Sequence, residues 1–248
     1  MISTFLSGGK EYCAMVMKLL LIVMCMIFPV HAAMLQSSAS PESPELQNAL
    51  KRIDEVSKSF RNFRADFSQK KYTAILEEFD VPESGVFYYA YDSNRSILMR
   101  HEITSPGNRI LTIKGDTAVI YQPRIKQAQI ANLGKRKNLL EYLGTGLGQS
   151  SASLRERYHL SYGGSDVVND TSCDVIVFRP KDASVSASLE SITIWFNKKN
   201  GVPVRYRLLE PNGDYLLLTF YGERLNTKIP ASTFEQNLPN GVEILRIH

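Results

Sequence analysis

Arg95-Ser-Ile-Leu-Met-Arg-His-Glu-Ile103 changes character almost residue by residue. As an extended strand it puts Arg95, Ile97, Met99, His101 and Ile103 on one face. Leu98, Arg100, Glu102 and Thr104 fall on the other, which is mixed and mostly polar, as a solvated face is. The first face is apolar, yet it opens with a guanidinium, which needs a partner among apolar neighbours. That face is therefore either a packed core or the wall of a cavity that Arg95 helps to close.

The same period of two runs outward in both directions. Phe63, Ala65 and Phe67 alternate with Arg64, Asp66 and Ser68. Gly85 to Tyr91 is a second strand, joined to the 95–103 strand by the turn residues Asp92-Ser-Asn94. Downstream, Arg109 to Ile113, Ala118 to Tyr121 and Ile125 to Ala131 are strand candidates, separated by Pro106-Gly107 and Gly115-Asp116. The pattern breaks at Lys135. Lys137 to Leu143 and Ser150 to Arg157 are expected to be short helices, with Gly144-Thr-Gly-Leu-Gly148 as a flexible hinge between them. Strands resume at 158–162, 173–179, 190–196, 204–209 and 215–223, with Asn200-Gly201 and Asn212-Gly213 as hairpin turns. About ten strands result, a mainly β chain with α+β character. A sheet of that size curls or closes on itself.

Ahead of the strands, Ser43-Pro44-Glu45 opens a helix with a capping serine, proline in the first turn and an early acid. Leu46, Ala49, Leu50, Ile53, Val56, Phe60 and Phe63 then recur at three- and four-residue steps. Such a helix is stable only when its greasy stripe lies on something apolar. Earlier still, Met17-Lys18, the apolar run Leu19 to Val30 and His31-Ala32-Ala33 have the order of a secretory leader. That run is about 12 residues, short of the roughly 20 that span a bilayer. Residues 1–33 are thus expected to be a removed signal peptide, 34–43 a flexible tether and 44–248 one domain. Cys13 and Cys25 leave with the leader, so Cys173 has no internal partner and is expected to be a small buried hydrophobe.

The whole chain carries 29 Lys+Arg against 25 Asp+Glu, a net charge of +4. That balance is mild and argues for no nucleic-acid partner. Lys135-Arg136-Lys137, with Arg124 and Lys126 nearby, is a basic cluster, and Glu77, Glu78 and Asp80 make an acidic hairpin tip. No Gly-x-Ser-x-Gly elbow is present. His101, His159 and His248 are too scattered for a metal site. His101 reads as a core or wall histidine rather than a base. An exported β chain with apolar faces and no catalytic set points to a binder rather than an enzyme, with no cofactor.

The order of features resembles the periplasmic outer-membrane lipoprotein carriers, the LolA-like family. The resemblance rests on Phe60-Arg-Asn-Phe63, on Phe63-Arg-Ala-Asp-Phe67-Ser-Gln69 and on the Gly85 strand. It continues in the Arg95 to Pro106 segment, in Lys114-Gly-Asp116 leading to Ile120-Tyr-Gln-Pro123, and in the tail Ile229-Pro230 to Leu238-Pro-Asn-Gly241-Val242. It implies an unclosed antiparallel β-barrel with a helical lid over a hydrophobic cavity. It also implies a monomeric periplasmic carrier that takes acylated lipoprotein from an inner-membrane ABC transporter to an outer-membrane receptor. Phe67, Phe87, Tyr89, Ile97, Met99, His101 and Ile103 are the expected cavity wall, and Leu139, Leu140 and Leu143 the expected lid. The family's functional arginine precedes a proline that lies ten residues ahead of a second proline. Counting back from Pro106 puts Arg95 at that position, with Ser96 where the first proline would stand, and assigns Arg95 to lid gating. Two other readings stay open: carriage of another lipid or glycolipid, and a non-binding envelope interaction protein with a filled core.

Overall fold

A computed structural model describes residues 42–134 and 141–247. Helix α1 (Pro44–Ser59) starts where the sequence places it: the Ser43 hydroxyl accepts from the Leu46 amide at 3.2 Å, with Pro44 in the first turn. Its stripe of Leu46, Ala49, Leu50 and Ile53 is buried. Two short helices follow later, α2 (Ser151–Arg157) and α3 (Ala183–Ser186).

The strands fall in two runs. The first holds β1 (Asn62–Thr73), β2 (Glu78–Phe79), β3 (Glu83–Tyr91), β4 (Ile97–Ser105), β5 (Arg109–Lys114), β6 (Thr117–Gln122) and β7 (Gln127–Asn132). The second holds β8 (Tyr158–Val168), β9 (Thr171–Pro180), β10 (Ser191–Asn197), β11 (Pro203–Leu209), β12 (Tyr215–Leu225) and β13 (Glu243–Ile247). All join one sheet in the order β13-β7-β6-β5-β4-β3-β1-β12-β11-β10-β9-β8, with β2 paired to β1. The runs meet where β1 pairs with β12, Phe67 opposite Phe220. Strands β8 and β13 form the two edges, so the sheet curls without closing.

The sheet has 13 strands rather than about ten. One addition, β13, runs parallel to β7, with Glu243 opposite Gln127. It is the exception in a sheet that is otherwise antiparallel. Strand β7 starts at Gln127 instead of Ile125, because Pro123–Ile125 forms a 3₁₀ turn that ends in a left-handed Lys126 at φ 50°. Strand β4 likewise starts at Ile97, which takes Arg95 off the strand. Asp92 Oδ1 accepts from the amides of Asn94 and Ser96, both at 2.8 Å, and the Arg95 amide closes on the Asp92 carbonyl at 3.0 Å. This turn holds Arg95 at φ 62°, exposed at the hairpin tip. Residues 1–41, the basic cluster at 135–137, Leu139 and Leu140 lie outside the described residues. No described helix is long and apolar enough to cross a membrane.

The helices are tied down by polar contacts. Asp54 of α1 accepts from the Ser151 amide at 2.6 Å and the Ser151 hydroxyl at 2.7 Å, which joins α1 to the start of α2. Arg155 of α2 grips Glu42 through two contacts of 2.6 and 2.9 Å. Arg52 reaches Asp174 on β9, a carboxylate only 5% exposed, which also accepts from Tyr162 at 2.9 Å and faces Lys198 at 3.6 Å. A buried carboxylate anchored this way is costly to lose, since its donors are left unmatched. Asp174→Ala should lower the unfolding free energy by about 2 kcal/mol in urea titration, below the buried-pair extreme because Arg52 keeps access to water. A change under about 0.5 kcal/mol, the scale of ordinary surface substitutions, would show that this tie does not hold α1 on the sheet.

Candidate functional site

The concave face of the sheet is the site. Cross-strand register carries one row of side chains from β1 to β6: Phe63 opposite Tyr89, Tyr89 opposite Met99, Met99 opposite Ile113, Ile113 opposite Ala118. The next row runs Ala65, Phe87, His101, Leu111. Within β3, Phe87 and Tyr89 face inward and Val86 and Tyr88 outward, in agreement with the burial alternation. Phe67, Phe87, Tyr89, Met99 and Ile103 are at most 2% exposed. The rings form a continuous set: Phe87 meets Phe63 at 6.2 Å, Phe220 at 5.3 Å and Tyr89 at 6.4 Å between centroids.

His101 is a satisfied member of this wall. Its Nε2 lies 3.0 Å from Gln69 Oε1, and the Gln69 amide donates to Glu83 at 2.7 Å, which Arg109 meets from outside at 3.1 Å. Phe67 stacks on the imidazole with centroids 4.4 Å apart. Burial, and secondarily the Arg109 cation, pushes the His101 pKa down to about 4. A neutral imidazole in a chain that ends in solvent-facing charge is a structural spacer. Nothing among the described residues places a reacting group against it.

What covers the wall is the segment expected to be a hinge. Gly144 to Gln149 are all buried. The segment folds on itself: the Thr145 amide donates to Tyr142 O at 3.1 Å, Leu147 to Gly144 O at 2.9 Å, and Gly146 to Gln149 Oε1 at 3.2 Å. Three phenols fasten it to the sheet, Tyr158 on β8 through a 3.3 Å contact between its hydroxyl and that of Thr145. Tyr206 donates to Thr145 O at 2.8 Å, and Tyr91 to Leu147 O at 3.2 Å. Burial pushes the Tyr206 phenol well above its usual pKa, so it stays a donor.

The glycines are there for close approach. A Cβ on Gly144 would sit 2.3 Å from the Tyr89 ring, and one on Gly148 equally close to Phe60. Gly146 and Gly148 also have φ of 84° and 66°, the left-handed region. The hinge is therefore a plug, pressed backbone-first onto the aromatic wall, with Leu147 as its one large apolar side chain.

The predicted residues divide as follows. Phe67, Phe87, Tyr89, Met99, His101 and Ile103 come together on the concave face. Ile97 is half-buried at its rim. Leu143 is half-buried against the same core, within a 3₁₀ turn (Glu141–Gly144) where the sequence predicts a helix over 137–143. Arg95 lies outside the wall, with its guanidinium 4.6 Å from the Tyr91 ring centroid. Sequence reasoning passed over Tyr91, although it has the same parity as Phe87 and Tyr89. It also missed Tyr206, which alternates with Val204 and Leu208 on β11. The plug's three glycines carried no local sign of the rings they meet.

His101 gives a stability signature. Its folded pKa of about 4 lies below the unfolded value near 6.5, so the unfolded chain binds the proton more readily. The stabilising contribution of the neutral ring is complete above pH 6.5 and is lost as pH falls toward 4. Between pH 7 and 4 the wild type should lose on the order of 3 kcal/mol more than His101→Gln in parallel denaturation curves. Curves that stay parallel across that window would contradict the buried, neutral assignment.

Among known proteins, the family model described as outer membrane lipoprotein carrier protein LolA matches residues 58–237. An outer-membrane lipoprotein carrier protein of Pseudomonas fluorescens is 20% identical over 227 residues, which cover 91% of this chain and 99% of that one. Its counterpart in Pseudomonas putida is 21% identical over 204 residues, 79% of this chain and 86% of that one. In fold, the chain is similar to the crystal structure of MucB, with TM-score 0.50, 13% identity, and coverage of 82% of this chain and 66% of MucB. An uncharacterized conserved protein of Thermus thermophilus is as similar, with TM-score 0.50, 14% identity, and coverage of 82% and 99%. With the family model spanning most of its length, from the end of α1 to just past a 3₁₀ turn at Ala231–Phe234, the chain belongs to the LolA family of outer-membrane lipoprotein carrier proteins.

Proposed function

We propose that this protein is a periplasmic lipid carrier that takes up acyl chains of lipoproteins between its curled sheet and its covering segments. The observation that carries the reading is the plug. A broad aromatic face is covered by a glycine-rich segment fastened through three tyrosine hydroxyls, rather than by a second sheet. Each such hydrogen bond is worth about 1 kcal/mol net. An entering acyl chain gains about 0.8 kcal/mol for every CH₂ it buries. A chain longer than a few carbons therefore outweighs the cover it displaces. The family to which the chain belongs, and the leader-like residues 1–33, support export to the periplasm. On this reading the protein acts as a monomer, loaded by an inner-membrane ABC transporter and relieved of its cargo by an outer-membrane receptor.

Arg95 acts in this scheme as a latch at one remove. It stacks on Tyr91, which donates to the plug at Leu147. Removing the cation loosens the ring that fastens the cover. A second reading keeps the fold and changes the cargo to another lipid or glycolipid. The serine at position 96 and the long hairpin before Arg95 favour it. A non-binding envelope interaction protein is the third reading, favoured by how completely the wall is packed.

The test is to purify the chain gently, extract it with organic solvent and analyse the extract by mass spectrometry, alongside uptake of a fluorescent fatty acid. The carrier reading predicts co-purified acyl lipid or stoichiometric uptake, and Arg95→Leu should change loading and release rates several-fold. An empty extract with no uptake favours the filled-core reading. Unchanged loading and release in Arg95→Leu would remove the latch.

A further inference from the structure

Beside the plug lies an open cleft of ≈ 420 Å³. Its walls come from four places: the turn that carries Arg95, the end of the plug with Gln149, the face of α2 that carries Ser153 and Arg157, and Ser57 of α1. Tyr91 forms the inner wall, where the cleft meets the covered aromatic face. No aspartate or glutamate lines it among the described residues.

Arg95 is the informative member. Its guanidinium lies 4.6 Å from the Tyr91 ring centroid, a cation–π contact that uses none of its N–H donors. No carboxylate takes Arg95 among the described residues. The nearest acid along the chain, Asp92, is occupied by the backbone amides of its own turn. The turn that presents Arg95 is thus fixed while its charge is not consumed. Arg157 also lines the cleft and lies over Tyr158 at 5.6 Å. Ser153 and the Gln149 amide add neutral donors. A guanidinium with hydroxyl and amide donors beside it suits a tetrahedral oxyanion, which accepts several hydrogen bonds at once and pairs with arginine in a bidentate fashion.

We propose that this cleft binds a phosphate group, carried as the anionic head of an amphiphile whose chains lie beneath the plug. The inference rests on the carrier reading for the source of the phosphate, but not for the site itself. The geometry favours it because the polar cleft and the apolar wall share Tyr91 as a boundary. A head in the cleft and a chain against the wall are then one molecule apart.

The test compares uptake from phosphatidylcholine vesicles that hold a minor fraction of either dioleoyl phosphatidate or dioleoylglycerol, two lipids with the same chains. The wild type should favour phosphatidate on the order of tenfold, the effect of roughly one charge-assisted bond. That ratio should fall to about one in Arg95→Gln. It should also fall in Ser153→Glu, which puts a carboxylate into the cleft and leaves both arginines in place. Using the ratio cancels any effect of either variant on loading in general. In parallel, the arginine Nε–H signals are followed by NMR during titration with inorganic phosphate and with glycerol 3-phosphate. Equal uptake of the two lipids by the wild type, or a preference that both variants keep, overturns the proposal and leaves the carrier reading standing. If neither lipid is taken up, the carrier reading fails. The site then stands as one for free phosphate only if phosphate moves the Arg95 signal in wild type and not in Ser153→Glu, and it falls if it does not.

Discussion

A sheet that curls without closing leaves an apolar concave face that its own strands cannot cover. Every other feature of this chain answers that constraint. Sheet closure would have brought the strand edges together and sealed the interior permanently. Here β8 and β13 remain edges, and the cover is built from α1, the Gly144–Gly148 segment and α2. The cover must be apolar enough to keep water from Phe87, Tyr89 and Met99, yet it must not be part of the sheet. A backbone segment of three glycines meets both demands. It approaches the rings more closely than any side chain allows, and its Thr145, Gly146 and Leu147 amides find acceptors between Tyr142 and Gln149.

The polar contacts divide into two kinds, and the division has a functional sense. Those that hold α1 to the sheet and to α2 are ionic or charge-assisted, through Asp174, Asp54 and Glu42. Among the described residues, those that hold the plug to the sheet are neutral, from Tyr91 and Tyr206 to backbone carbonyls and between the Tyr158 and Thr145 hydroxyls. Charged hydrogen bonds contribute about 1.5–3 kcal/mol and neutral ones about 1. The plug is therefore the part of the cover with the weakest polar hold. Displacement at that point leaves α1 seated and opens the wall next to the cleft that carries Arg95.

The alternation of Phe87, Tyr89, Met99, His101 and Ile103 was legible because a half-buried strand writes its inner face at every second position. The capped helix was legible for the same kind of local reason. Arg95 was misplaced because Asp92 uses its carboxylate to extend the turn over one more residue, a competition between side chain and ladder that alternation cannot reveal. The glycine segment was misread because glycine signals conformational freedom and close approach with the same letter. Only the facing rings of Tyr89, Phe60 and Phe196, scattered along the chain, distinguish the two. Strand β13 escaped because its partner β7 lies more than a hundred residues upstream and the pairing is parallel, with no turn to announce it.

The central claim is that the plug, and not the sheet, gives way when the interior is occupied. Amide hydrogen exchange at Thr145, Gly146 and Leu147, measured with and without saturating long-chain fatty acid, tests it directly. The account predicts that exchange at these three amides accelerates at least tenfold on loading, while the amides of β9 to β11 keep their protection. Stoichiometric fatty-acid binding with unchanged or slower exchange at Thr145 to Leu147 would contradict it.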